Sequence, residues 1–296
     1  VGTAGDLWDH YEPLKRYAAE RLQSGGMPLW NPFMFSGAPF LGTAQPAVFS
    51  SAHLLFQTAQ LSTAFAAAFL IQPFLAGLGA FLWACSLGAR RSGALAAAAV
   101  FAGSGMIILR IPHGHPVIQG GYAWLPWLAL ALSTRSGILL GGVTALIFTS
   151  GHAQPMGYAA IMGLAWLILS SLSPGGERVR VRGASLGRLV LFTLLGLALA
   201  APALLPVIEM AGRSVRGASD PLVAMSYSWP PAYLAALVRP LHFGNPLVGT
   251  FHVPDHPSYF FEFCSVYMGM VGLVLAVYGV LVLRRGRPSG RPVVTG

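Results

Sequence analysis

Charge is what this chain has least of. Only 9% of its 296 residues are Asp, Glu, Lys or Arg, against roughly 25% in an ordinary soluble domain. A soluble protein must still clothe its surface in polar groups, so a large soluble core cannot account for the deficit, whereas lipid-facing surface can. Acids are the scarcer sign, nine against eighteen Lys and Arg. In a soluble chain that excess of base would suggest nucleic acid; here membrane topology explains it, and no nucleic-acid partner is expected. Cysteine is almost absent. Cys85 and Cys264 lie in apolar runs placed near opposite faces of the membrane, so no disulfide is expected. There is no P-loop, no GxGxxG after a strand and no GxSxG, which argues against an ATP-driven pump and a Rossmann-type nucleotide-sugar enzyme. Signal peptide and initiator Met are also lacking, so the chain is expected to be a piece of a longer protein, with a membrane helix before Val1 and a continuation beyond its tail.

What is present is apolar: 55% of the residues. Seven runs stand out, at roughly 61–87, 92–111, 118–133, 137–151, 155–172, 187–208 and 263–283. A spanning helix takes about 20 residues. The third and fourth runs are short for that, and read as tilted companions, a re-entrant pair, or spans with ends lying elsewhere. Pro202 and Pro206 inside the sixth run are tolerable in a membrane helix whose neighbours re-satisfy the backbone. The expected fold is an all-α polytopic transmembrane bundle of about seven spans, with interfacial helices in large outer loops and no β domain. Its parts are an outer first loop (1–60), a bundle of about six spans (61–208), a second outer loop (209–262), a last span (263–283) and a cytoplasmic tail (284–296). In the first loop, Leu7, Tyr11, Leu14, Ala18 and Leu22 recur at helical spacing, which predicts an amphipathic interfacial helix ended by Gly25-Gly26-Met27-Pro28. The aromatic stretch that follows suits the headgroup level.

Orientation follows from Arg and Lys. With Arg90-Arg91 inside, alternation puts Arg135, the Arg178/Arg180/Arg182/Arg188 group and Arg284/Arg285/Arg287/Arg291 on the same side, with Glu177 as the one acid there. Outside lie the remaining seven bases, eight acids and all eight histidines, so the polar chemistry is expected on the outer face.

The densest polar cluster is Asp6-Leu7-Trp8-Asp9-His10-Tyr11-Glu12. On an α-helix, Asp6, Asp9 and His10 share a face. A carboxylate pair beside an imidazole suits general-base work or a metal; a helix start with acids at its positive end gives the same pattern without function. His113 and His115 follow the second run, and His152 and Gln154 the fourth, both in tight outer turns. Those imidazoles could bind phosphate or metal, or be merely solvated. No HExxH or Cys/His zinc spacing exists, so a divalent metal has no supporting signature. Glu209 ends the sixth run with Arg213 and Arg216 behind it. An i,i+4 ion pair competes there with arginines holding an anionic phosphate. Glu262 among aromatics at a membrane edge is costly unless paired or working.

Gly5-Asp6-Leu7 with Asp9, Pro28-Leu29-Trp30-Asn31-Pro32, Gly37-Ala38-Pro39 and Gln45-Pro46 resemble the first outer loop of bacterial YfhO-like membrane proteins, members of the GT-C superfamily of glycosyltransferases. Gly151-His152 with Gln154 and Tyr158, Leu204-Leu205-Pro206 with Glu209, and Glu262 followed by Tyr267-Met268-Gly269 extend the resemblance over nearly the whole chain. It implies a GT-C-like fold and a polyprenyl-phosphate-linked sugar as donor. It also implies a glycan or lipid acceptor on the outer face of a bacterial cytoplasmic membrane. Asp6 or Asp9 would be the catalytic base, and His10, Glu12, His113, His115, His152, Gln154, Glu209, Arg213, Arg216, Glu262 and Tyr267 would bind substrate. Two other classes compete. A flippase for lipid-linked glycans needs polar residues within the spans, which hold almost none. A non-catalytic assembly protein predicts outer acids that scatter.

Overall fold

The computed structural model describes residues 5–172, 183–214, 231–245, 248–252 and 267–284. These residues are mostly helical. The first outer region opens with a π-helical turn, Leu7–Tyr11, that runs straight into α1, Glu12–Gln23. Pro13 has no amide hydrogen to carry the α-ladder back into that turn. The turn opens to i→i+5 spacing instead, and the Glu12 amide donates to the Leu7 carbonyl. Tyr11, Leu14 and Ala18 are buried, as the apolar spacing requires. The helix stops where Gly25 takes φ +77°. Two short strands follow, β1 (Trp30–Asn31) and β2 (Ala38–Pro39), paired antiparallel with Trp30 opposite Pro39. Their connection carries Phe33 and Phe35, 83% and 89% exposed. Helix α2, His53–Thr58, leads into the bundle.

Among the described residues, three helices are long and apolar enough to cross a membrane: α3 (Leu61–Ser86), α9 (Ala153–Leu172) and α10 (Gly183–Gly212). The other apolar runs are shorter or broken helices. The second divides into α4 (Arg91–Ala102) and α5 (Gly105–Ile108), because Ser104 after Gly103 is extended, at ψ 152°. The third divides into α6 (Pro116–Ala123) and α7 (Leu125–Thr134) around Trp124, where Pro126 cannot donate into the ladder. The fourth is α8 (Gly137–Phe148), capped at its start by the Ser136 hydroxyl. At twelve residues each, α4 and α8 rise about 18 Å, short of the roughly 30 Å hydrocarbon core. The last run is α11, Met270–Arg284.

Helix α3 sits at the centre, against α4, α6 and α7, and α8 packs on α10. Glycines allow the α8–α10 approach. A Cβ on Gly141 would lie 2.8 Å from the Phe192 carbonyl, and one on Gly196 the same distance from Thr144 Cβ. The core around Ile107, Tyr122, Ala123 and Ile147 fills the space between α3 and α8. By contrast, 11% of the most apolar stretch of α9 and of α10 is buried, against 44% of that of α3. Those two helices turn apolar faces outward.

Candidate functional site

The site is assembled where the first outer loop meets the turn between α5 and α6. Gly114 makes the meeting close. It adopts φ +71°, and a Cβ there would lie 2.6 Å from Leu7 Cβ and 2.8 Å from the Leu7 amide nitrogen. With that turn seated, His115 Nε2–H donates to Asp6 Oδ2 at 2.8 Å, across 109 positions of sequence. The imidazole is largely covered, with 12% of its side chain exposed, while 65% of the Asp6 side chain is exposed. One carboxylate oxygen is therefore held and the group still reaches solvent. His10 completes the cluster. Burial pushes its pKa below the ordinary histidine value and nearby His115 pushes the same way, while the Asp6 charge opposes them. Tyr11 lies edge-on to His10, with ring centroids 4.9 Å apart, and 6.2 Å from His115. His113 donates from Nδ1–H to the Leu109 carbonyl at 2.6 Å, its ring centroid 5.9 Å from that of His115.

The π-turn changes the expected α-helical stripe. Asp6 and His10 join the cluster with His115, and Asp9 is exposed. Glu12 pairs with Arg16 one turn along α1.

A second polar series starts from the same turn. The His115 amide donates to the Arg110 carbonyl, and the buried Arg110 guanidinium stands 5.6 Å from the Tyr122 ring centre. Tyr122 stacks on Tyr158 at 5.8 Å and 12°. Tyr158 accepts from Gln154 Nε2 at 3.1 Å, and the Gln154 amide donates to His152 Nδ1 at 3.2 Å. Gly151, at φ +90°, packs against Ala44 and Ala47. The 151–154 turn thus rests on the loop whose Gln45 Oε1 accepts from the Tyr11 hydroxyl at 2.9 Å.

Other predicted residues stay apart. Glu209 and Arg213 form an exposed i,i+4 ion pair at 2.9 Å. Their helix end leans on the 41–43 turn, where Gly42 meets Met210. Tyr267 enters through its backbone carbonyl, which accepts from the Gly105 amide at 2.8 Å. Arg216 and Glu262 lie outside the described residues. Among the described residues, no group of three or more His, Cys, Asp or Glu is placed to hold a metal ion.

Sequence reasoning counted Lys15 only as an outer charge. It is the chain's single lysine and is 2% exposed. Its Nζ donates to the Pro46 carbonyl at 2.7 Å and lies 5.0 Å from the Phe56 ring centre. Burial pulls its pKa down to about 7. His53, 1% exposed, is pulled down to about 3 by burial first and the Lys15 charge second. Lys15 lines a cavity of about 220 Å³ beneath the loop, shared with Ser50, Gln72, Trp124 and Ser150. The signal was there: Lys15 stands four residues after Tyr11, on the apolar face.

No family model matches the chain, and neither a curated protein nor a solved structure matches it.

Proposed function

We propose that the chain works as a membrane glycosyltransferase of the GT-C kind. It would pass a sugar from a polyprenyl-phosphate donor to a hydroxyl of a glycan or lipid acceptor, on the outer face of a bacterial cytoplasmic membrane. On this reading the seven apolar runs are seven spans, the shorter helices crossing together with their flanking turns. The observation that carries the proposal is the Asp6–His115 contact at 2.8 Å, an exposed carboxylate steadied by a covered imidazole beside lipid-length helices. Asp6 takes the proton of the acceptor hydroxyl through its other oxygen. The hydroxyl oxygen bonds to the anomeric carbon as the bond from that carbon to the phosphate oxygen breaks, with inversion. The polyprenyl phosphate leaves with the bonding pair, met by the imidazoles of His113 and His152. Asp9 is the neighbouring carboxylate; His10, Glu12 and Gln154 complete the proposed binding set.

A flippase needs a polar path through its spans. In α3, α9 and α10 the buried polar side chain, among the described residues, is Gln72 alone; the shorter runs also bury Arg110, Gln119, Thr144, Thr149 and Ser150, so a flippase path would have to follow those shorter helices. The test uses membranes holding the protein and a radiolabelled polyprenyl-phosphate sugar. Asp6→Asn should lower the transfer rate about 10²–10⁴-fold with insertion unchanged. Wild-type transfer by that variant would remove the base assignment, and no transfer by wild type with several donors would remove the transferase reading.

A further inference from the structure

Lysine is a residue that folded chains keep out of their interiors, and this chain buries its only one. Of the ammonium's N–H donors, one goes to the Pro46 carbonyl at 2.7 Å. The Phe56 ring, 5.0 Å from Nζ, adds a weaker attraction. Neither carries a negative charge. No carboxylate among the described residues draws the lowered pKa back up; burial is its one cause. His53, the titratable group that feels the Lys15 charge from α2, is neutral above a pKa of about 3 and supplies no counter-charge. A buried cation left without its anion is costly, and its partner is the first thing to look for.

Lys15 and Phe56 both belong to the wall of the cavity beneath the first loop. Its volume of about 220 Å³ is room for roughly seven groups the size of a water molecule. Lys15 is the one titratable side chain in that wall, with the hydroxyls of Ser50 and Ser51 in the loop. Leu55, Ile71 and Leu75 make the wall apolar beyond them. Gln72 interrupts it: Oε1 is buried with no hydrogen-bond partner among the described residues, and Nε2 stands 3.0 Å from where a Cβ on Gly120 would lie. The cavity reaches the surface where Ser51 and Ile71 are exposed. The complement of this space is a small apolar body with one negative charge. A phosphate monoester brings about −1.5 to −2 and three strong acceptor oxygens, more than one amine can neutralise in an apolar wall. A carboxylate brings a single charge. We infer that this cavity, walled by α1, α3 and α6, binds a small apolar monocarboxylate, its carboxylate on the Lys15 ammonium and its hydrocarbon body against Phe56, Ile71 and Leu75. The bound anion favours the charged amine that burial disfavours. This inference is independent of the sugar-transfer reading.

The test uses the whole chain in detergent, with isotope-labelled lysine, titrated with hexanoate, 1-hexanol or hexyl phosphate. Hexanoate should raise the Lys15 titration midpoint by about one pH unit or more, and 1-hexanol, of the same length, should leave it in place. Hexanoate should also raise the melting temperature at lower concentration than either of the others. Lys15→Met should weaken the hexanoate response at least about tenfold and spare the hexanol response. Gly120→Ala sets a Cβ against the flexible end of Gln72 and presses it into the cavity. It should weaken both responses with the ligand-free melting temperature held or raised, because the exchange lies inside a helix. A Lys15 midpoint that hexanoate does not move, equal stabilisation by hexanoate and hexanol, or an intact hexanoate response in Lys15→Met or Gly120→Ala would each overturn the assignment. So would tighter binding of hexyl phosphate than of hexanoate.

Discussion

Removing the charge of Lys15 should stabilise the protein at neutral pH and destabilise it in alkali. Burial lowers its pKa from 10.5 to about 7. At about 1.4 kcal/mol per unit, the folded state forgoes about 5 kcal/mol at pH 7 relative to a lysine left in water. The sign follows from proton binding. Between pH 7 and 10.5 the unfolded chain holds a proton that the folded chain does not, so stability rises with pH, by about 1.4 kcal/mol per unit. Below pH 7 both states are protonated and the dependence disappears. Lys15→Met removes that penalty but also the hydrogen bond to the Pro46 carbonyl and the contact with Phe56. An orphaned buried carbonyl costs about 1–3 kcal/mol. The variant should therefore be more stable than wild type by about 2–4 kcal/mol at pH 7 and less stable by about 1–3 kcal/mol near pH 10.5, the two curves crossing in between. Equilibrium unfolding in detergent micelles, followed by tryptophan fluorescence, measures the curves. Because Lys15 is the only lysine, isotope-labelled lysine gives one side-chain resonance whose titration reads the pKa directly. A midpoint near 10.5, or parallel stability curves, would refute the account.

His53 titrates in a separate window. Both its ring nitrogens are buried without a hydrogen-bond partner among the described residues, and its pKa falls to about 3. Its contribution should be complete above pH 6.5 and lost as the pH falls toward 3, so His53→Phe should flatten the acid limb of the same unfolding curves; an acid limb identical to wild type would count against it. Lys15→Met should also raise the His53 midpoint, because the lysine charge is the second cause of its depression. Gly114→Ala puts a Cβ into Leu7 at a left-handed φ. It should part the first loop from the 110–115 turn, costing about 1–3 kcal/mol and returning the His10 pKa toward the ordinary value as cover is lost. An unchanged His10 titration by NMR would mean the turn seats without the glycine.

Much of the helical layout was legible in the sequence. Leu7, Tyr11, Leu14, Ala18 and Leu22 marked the apolar face of α1, and its stop at the Gly25-Gly26 pair was set by a left-handed φ. The ion pair of Glu209 with Arg213 followed from i,i+4 spacing. The π-turn at Leu7–Tyr11 was not read from the apolar pattern, which it shares with an α-helix; its signal was Pro13, whose missing amide opens the ladder. Nor was the fate of Lys15. Its place on the apolar face fixed its direction, but whether that face was covered depended on Pro46 and Phe56, more than thirty residues away.

Composition and local rules determined by themselves that the chain folds into apolar helices; only the structure showed that, among the described residues, three of them are long enough to cross a bilayer. Hydropathy, glycine φ and the missing proline amide act within a few residues, so they can be read along the chain. Only the tertiary structure decided that Asp6 meets His115 while Asp9 turns to solvent, and that α8 rather than α9 locks onto α10. Those outcomes depend on how closely distant backbones can approach. Missing Cβ atoms at Gly114, Gly141 and Gly196 set that distance only once the partner surface is present.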